Sequence, residues 1–117
     1  MKITLPLPSA KLSPNARIHW AQLAKVKAKH RAASFRIACN LDTDRKLKRY
    51  RLHFFWKDRR RRDRDNASAM MKAYLDGIAD AFKQDDSEWL FDGVRFDLDK
   101  ENPRVEVRFD EEVESCQ

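Results

Sequence analysis

Between Tyr50 and Lys57 the chain alternates with a period of two: Tyr50, Leu52, Phe54 and Trp56 fall on one side, Arg51, His53, Phe55 and Lys57 on the other. Successive side chains of an extended chain point to opposite faces, so this segment predicts a strand with one buried face. It makes a sheet the organising element of the fold. Weaker alternations supply its partners. Ile3, Leu5 and Leu7 recur from Lys2 until Pro8 stops the run, and Val94-Phe96-Leu98 and Val105-Val107-Phe109 flank a polar stretch at Asp99 to Pro103. The last two read as a closing hairpin.

Two stretches carry a helical period instead. From about Ala16 to Ala38, after the turn formers Pro14 and Asn15, there is neither Gly nor Pro. There Trp20, Leu23, Ala24, Ala28, Ala32 and Phe35 drift round one side, and Lys25, Lys29, Arg31 and Arg36 lie elsewhere. From Asn66 to Phe82, Ala67, Met70, Met71, Tyr74, Leu75, Ile78, Ala81 and Phe82 recur every three or four positions, which predicts an amphipathic helix. The expected fold is α+β: a single mixed β-sheet of about four strands with two main helices, in the order β-α-β-α-β-β. At 117 residues the chain fits one domain, residues 1–117, because two cores would each bury too little apolar surface. The acidic residues Glu111 to Gln117 are expected to fray.

Charge narrows the partners. Residues 1–62 carry 18 Lys/Arg against 3 Asp/Glu, a balance of +15, and residues 63–117 carry 7 against 16, a balance of −9. A strongly basic region suits a polyanion, because each phosphate neutralised by Lys or Arg releases condensed counterions; basic composition also serves solubility or contacts with ribosomes and membranes. No apolar run approaches the ~20 residues that span a bilayer, and MKITLPLPSA is too short and proline-broken for a signal peptide, so a cytoplasmic protein without membrane partners is expected. Cys39 and Cys116 are far apart and read as reduced thiols; with His19, His30 and His53 they give no zinc-ligand spacing. Two glycines, Gly77 and Gly93, cannot build a dinucleotide fingerprint or a phosphate-cradling loop.

The remaining constellation is Arg59-Arg60-Arg61-Arg62-Asp63-Arg64-Asp65-Asn66, where the best strand gives way to a helix. In an extended segment Asp63 and Asp65 project to the same side. Two carboxylates about 5 Å apart repel by on the order of 3 kcal/mol at an effective dielectric near 20, and a divalent cation turns that repulsion into coordination. Asp65 is expected at the helix N-terminus, as its N-cap or just before Asn66 takes that role. Lys72 lies nearly on the same helical face, with Asp76 one turn beyond. Ser68, Lys72, Asp76 and Asp80 also read as an ordinary solvated face with an i,i+4 ion pair. Asp85-Asp86-Ser87 follows the helix; it joins the first acids only if the chain turns back, and DDSE is equally a good turn sequence.

On these residues the chain resembles the RusA-like Holliday junction resolvases, especially phage members. The resemblance runs over most of its length, through LPLP and LSPNARIHW (Leu5 to Pro8, Leu12 to Trp20), RRRRDRDN (Arg59 to Asn66) and DDSEW (Asp85 to Trp89). It implies an Mg²⁺-dependent endonuclease, Mn²⁺ substituting, that acts as a homodimer in a bacterial or phage-infected cell and cuts four-way DNA junctions symmetrically in recombination and repair. It also implies metal binding by Asp63, Asp65 and Asp86 and a catalytic or DNA-contacting part for Lys72. The family's lysine comes about one turn after the signature and Lys72 nearly two, a departure that a three-residue insertion reconciles. Arg59, Arg60, Arg61 and Arg62, with Lys25, Lys27, Lys29 and Arg31, are the expected phosphate contacts, although arginines beside aspartates also pair within a fold. The alternatives are a non-catalytic basic DNA-binding or architectural protein, and a metal-dependent nuclease acting on another branched DNA.

Overall fold

The computed structural model describes residues 1–111, Glu111 through its backbone alone. The elements follow in the order β1 (Lys2–Leu5), α1 (Trp20–Ala38), β2 (Leu47–Trp56), α2 (Arg64–Ala69), α3 (Lys72–Phe82), β3 (Leu90–Leu98) and β4 (Arg104–Glu111), with 3₁₀ turns at Ala10–Leu12 and Asp86–Glu88. The strands form one mixed sheet in the order β1-β4-β2-β3, the α+β architecture expected. β1 stops at Leu5, short of Leu7, because Pro6 has no N–H to donate to a ladder. β2 begins at Leu47, three residues before the alternation that marks it in the sequence, and Leu47 is buried. Glu111 closes β4 opposite Leu47; the rest of the acidic tail expected to fray, and Cys116, lie outside the described residues.

The closing hairpin does not form. β3 pairs in parallel with one edge of β2, setting Phe96 opposite Phe54, whereas β4 lies on the other edge and pairs antiparallel with both β2 and β1. Burial explains the choice. Val105, Val107 and Phe109 on β4 are all within 3% of full burial and need apolar neighbours on both sides, which Ile3 and Leu5 of β1 and Leu52 and Phe54 of β2 supply. β3, with Leu90 and Phe91 exposed, takes the edge. Opposite Arg51 it carries an extra residue, a bulge at Asp92-Gly93, where Gly93 adopts φ +109°, a conformation that other residues rarely accept.

The helices cover one face of this sheet. Met71, Tyr74, Leu75, Ile78 and Phe82 pack on Ile3, Leu5, Leu52, Phe54, Val105 and Val107; each large side chain fully buried contributes roughly 1.5–3 kcal/mol. The helix expected to run unbroken from Asn66 to Phe82 is two. Ser68 turns its hydroxyl back on the Arg64 carbonyl at 2.9 Å, a bond that competes with the helical ladder, and the Met71 N–H then bonds to the Ser68 carbonyl three residues back. α3 restarts with the Leu75 N–H on the Met71 carbonyl.

The buried side of α1 is also not the expected one. Trp20 and Phe35 are exposed, as are Ala24, Ala28 and Ala32, whereas Ser34 and Ala38 are buried and Leu23, Val26, His30 and Ala33 are half-buried. The partner helix decides this. A Cβ added at Gly77 would lie 2.0 Å from the Ser34 Oγ and 2.2 Å from the Arg31 carbonyl oxygen, so α1 and α3 approach almost backbone to backbone. The Ser34 hydroxyl donates across that seam to the Tyr74 carbonyl at 2.8 Å. The His30 Nε2 accepts the Ser9 N–H, which leaves the ring proton on Nδ1 to donate to the Val26 carbonyl and ties the N-terminal segment to α1.

Candidate functional site

β2 ends at Trp56, and the chain then runs through Lys57 to Arg62 into α2. Asp63, in extended backbone, is the N-cap of α2: its Oδ1 accepts the Asn66 N–H at 3.1 Å. The cap therefore falls on Asp63 and not on Asp65 or Asn66, because only Asp63 stands before the first helical residue with an N–H three positions ahead. Asp65 sits in the first turn, where the helix dipole favours a negative charge. Being helical, it does not follow the period-two geometry that was expected to align it with Asp63. The two nevertheless open onto one groove of about 480 Å³ whose other walls are Arg61, Arg62 and Arg64. Neither carboxylate forms an ion pair among the described residues.

Asp86 belongs to a different place. Lys83 ends α3 in the left-handed conformation, with φ 53°, and the Gln84 amide then pins the connector to the start of β2: its Oε1 accepts from the Leu47 N–H and the Trp89 indole, and its Nε2 donates to the Arg45 carbonyl. Asp85 caps the following 3₁₀ turn, and the Ser87 N–H that it accepts holds its carboxyl below the usual range. That leaves Asp86 free to take the Lys72 ammonium at 2.5 Å, while Asp76 takes the same ammonium at 2.9 Å. The two acids hold Lys72 above the ordinary lysine value, Asp86 most and Asp76 next. The i,i+4 pair of Lys72 and Asp76 that the helix pattern offered is thus present, with Asp86 added to it. The charge of Asp86 also reaches Tyr50, whose phenol is pushed up by burial first and by Asp86 second.

Asp63, Asp65 and Asp86 were expected to converge, and within this chain they do not. Because β3 runs parallel to β2, the connector before it returns to the end where β2 begins, with Leu90 opposite Arg49, whereas Asp63 and Asp65 follow the end where β2 finishes. Among the described residues no three of His, Cys, Asp and Glu stand together as a metal-binding group. Mg²⁺ commonly uses one or two carboxylates with water and substrate phosphate completing its shell. Asp63 with Asp65 fits that smaller set, and Asp86 stands outside it.

The expected phosphate contacts divide in two. Arg59, Arg60 and Arg61, and Lys25, Lys27 and Lys29, are exposed and form no ion pair among the described residues. Arg62 is held internally: it donates to the Asp58 carboxylate at 2.7 Å and lies 4.1 Å over the Trp56 ring. Arg31 is held too, by a two-pronged pair with Asp80 at 2.6 and 2.8 Å that keeps the Asp80 carboxyl low. Sequence reasoning passed over Arg64 and Lys11. Lys57 and Lys29 line neighbouring cavities that share Leu7, with Lys11 on the second, so Lys57 and Arg60 of the β2–α2 loop and Lys29 of α1 lie on one continuous stretch of surface. Arg64 carried a signal, its place between the two aspartates; Lys11, in a 3₁₀ turn, carried none.

No described helix is long and apolar enough to cross a membrane. No family model matches the chain. A protein of Xylella fastidiosa (strain Temecula1 / ATCC 700964), named only as an uncharacterized protein, is 36% identical over 95 residues, which cover 75% of this chain and 61% of that protein. The chain thus matches about three-fifths of the length of that relative.

Proposed function

We propose that this chain is a RusA-like, structure-selective DNA endonuclease that hydrolyses phosphodiesters of four-way junctions or other branched DNA with Mg²⁺, for which Mn²⁺ substitutes. The observation that carries this reading is the Asp63–Asp65 pair, open on a groove whose walls Arg61 and Arg64 are neutralised by no acid among the described residues. Exposed, hydrated carboxylates beside exposed arginines offer both signs of charge at one surface, which suits the joint arrival of a phosphate and a cation. Asp63 and Asp65 would hold Mg²⁺, which when bound supplies Lewis-acid charge to phosphoryl oxygens.

The chain's own residues do the rest. The bond from the Asn66 N–H fixes the Asp63 carboxylate before substrate arrives. Arg61 and Arg64 orient the phosphate, and Arg59, Arg60, Lys25, Lys27 and Lys29 hold the flanking backbone. As a homodimer, two copies would present one groove to each of two strands. Asp86 and Lys72 take part in the chemistry only if their pair reaches the first groove, across the dimer or by movement of the connector.

A metal-dependent cleavage assay on a synthetic four-way junction tests the reading. Asp65→Asn is expected to abolish cleavage and to leave junction binding intact; an unchanged cutting rate would overturn the proposal. One observation favours the second reading, a DNA-binding protein without chemistry: Asp86 is already neutralised by Lys72. Under that reading the unaltered chain binds junctions and cuts none at any Mg²⁺ concentration.

A further inference from the structure

Beside the acidic groove lies a second cavity, of about 410 Å³, that shares the Asp63 wall. Its floor is apolar, formed by Leu7, Pro8, Trp56 and Met70. Its rim is cationic: Lys57 and Arg60 stand there, and neither forms an ion pair among the described residues. Between floor and rim the wall carries Asn66, half-buried, whose side-chain amide makes no hydrogen bond among the described residues. A duplex keeps its base faces stacked and exposes only methyl and sugar edges, whereas a nucleotide out of the stack presents a flat apolar base, a hydrogen-bonding edge and a phosphate together.

We infer that this cavity receives one unpaired nucleotide of the DNA, its base on the Leu7, Pro8 and Met70 floor, its edge on the Asn66 amide and its phosphate at Lys57 and Arg60. The inference rests on the reading of the chain as a DNA-binding nuclease, and deepens it by naming what is recognised beside the cut. The volume falls within the range of cavities that enclose small ligands. Charge complementarity commits the site to DNA: the acidic side chains of a peptide have the charge for the rim but no flat apolar face for the floor, and an apolar peptide leaves Lys57 and Arg60 facing nothing. Because Asp63 forms a wall of both cavities, a nucleotide seated here brings its neighbouring phosphate to the Asp63–Asp65 groove.

Binding without divalent metal tests this apart from cleavage. The probes are a synthetic duplex with one central unpaired adenosine, the same duplex with an abasic site there, and the fully paired duplex, all at matched salt. The unaltered chain is expected to bind the adenosine bulge about tenfold more tightly than the other two, in line with the contribution of one held base. Ala10→Trp, which fills the cavity from the 3₁₀ turn, is expected to abolish that preference and keep the affinity for paired duplex. Equal binding of the adenosine and abasic bulges overturns the inference whatever the variant does, so a misfolded variant leaves no gap. A bulge preference without any metal-dependent cutting keeps the cavity and removes the nuclease reading; cutting without the preference does the reverse.

Discussion

Among the described residues two grooves bear acids, one with Asp63 and Asp65 and a second lined by Asp76, Asp80, Asp85 and Asp86, and they differ in what neutralises them. In the second, Lys72 bridges Asp76 and Asp86, and Arg31 reaches across from α1 to grip Asp80. Asp76, Asp80 and Asp86 are each answered by a cation of the same chain, and Asp85 by the Ser87 N–H. In the first, Asp63 spends one oxygen on a backbone N–H, Asp65 has no hydrogen-bond or ion-pair partner among the described residues, and of the arginines around them Arg61 and Arg64 form no ion pair there while Arg62 is held by Asp58. Acids paired internally are finished interactions of the fold. Acids left beside unpaired cations are poised for something that comes from outside, and this contrast locates the candidate site better than the count of carboxylates does.

The largest effect should come from removing charge in the first groove without touching its structure. Asn caps a helix as well as Asp does, so Asp63→Asn keeps the bond to the Asn66 N–H and is expected to leave the melting temperature unchanged. Disturbing groups that merely support metal ligands costs about 10–100-fold, so losing a ligand should slow junction cleavage by about 100-fold or more in single-turnover assays. Asp86→Asn sharpens the comparison. With Mg²⁺ on Asp63 and Asp65 alone, little change is expected from it; a loss of similar size would show that Asp86 reaches the first groove through a dimer or a moving connector. A rate near that of the unaltered chain would separate the two grooves and leave the second as a surface ion-pair cluster.

Next in size is the seam on which the second groove is built. Gly77 meets the Ser34 Oγ and the Arg31 carbonyl at distances no Cβ tolerates, so Gly77→Ala must push α1 and α3 apart. Overpacking of this kind costs about 1–3 kcal/mol, and chemical denaturation should show a lower midpoint with an unchanged slope. An unshifted midpoint would mean that the two helices are not in the close contact described.

How much of this was legible in the sequence follows from the range of each signal. The alternation of Tyr50 to Trp56 marks β2 because it is written within the strand itself, and the same holds for β3, β4 and the run of α3. What a strand pairs with is not written there: Val94 to Leu98 and Val105 to Phe109 alternate identically whether they face each other or flank β2. The inward side of α1 was lost for a similar reason, since Ala24, Ala28 and Ala32 mark a stripe of little area while the actual seam depends on Gly77 of another helix. At the site, the arginine run marked Asp63 and Asp65 as neighbours of cations, but the cap fell on Asp63 and not on Asp65 or Asn66, because α2 begins at Arg64, two residues earlier than the apolar period indicates. The position of Asp86 depended on a parallel crossover and on the Gln84 bridge to Leu47, both long-range and both silent in local pattern.

The free arginines offer a finer test of the contrast. Each cation that neutralises a phosphate contributes about 0.9 to the slope of log affinity against log salt. Changing Arg59, Arg60 and Arg61 together to Gln should therefore flatten that slope by about 2.7 for duplex DNA, whereas Arg31→Gln, which removes a cation already engaged by Asp80, should flatten it far less. Equal effects from the free and the engaged arginines would remove the distinction.

The smallest effect belongs to Lys72 and separates the grooves by pH. Its ammonium is held above the ordinary lysine value of 10.5, by Asp86 first and Asp76 second. A raised folded value means that the fold favours the charged form. The stabilisation is then fully present below pH 10.5 and is lost as pH rises through the folded value. With the side chain 64% exposed, solvent screening limits the amount to that of a surface ion pair, about 0.2–1 kcal/mol. Lys72→Met should accordingly lower the urea midpoint slightly at neutral pH, and the gap should close above the lysine range. A gap that persists there would mean that Lys72 acts through packing and not through charge, and the second groove would no longer be a closed set of ion pairs.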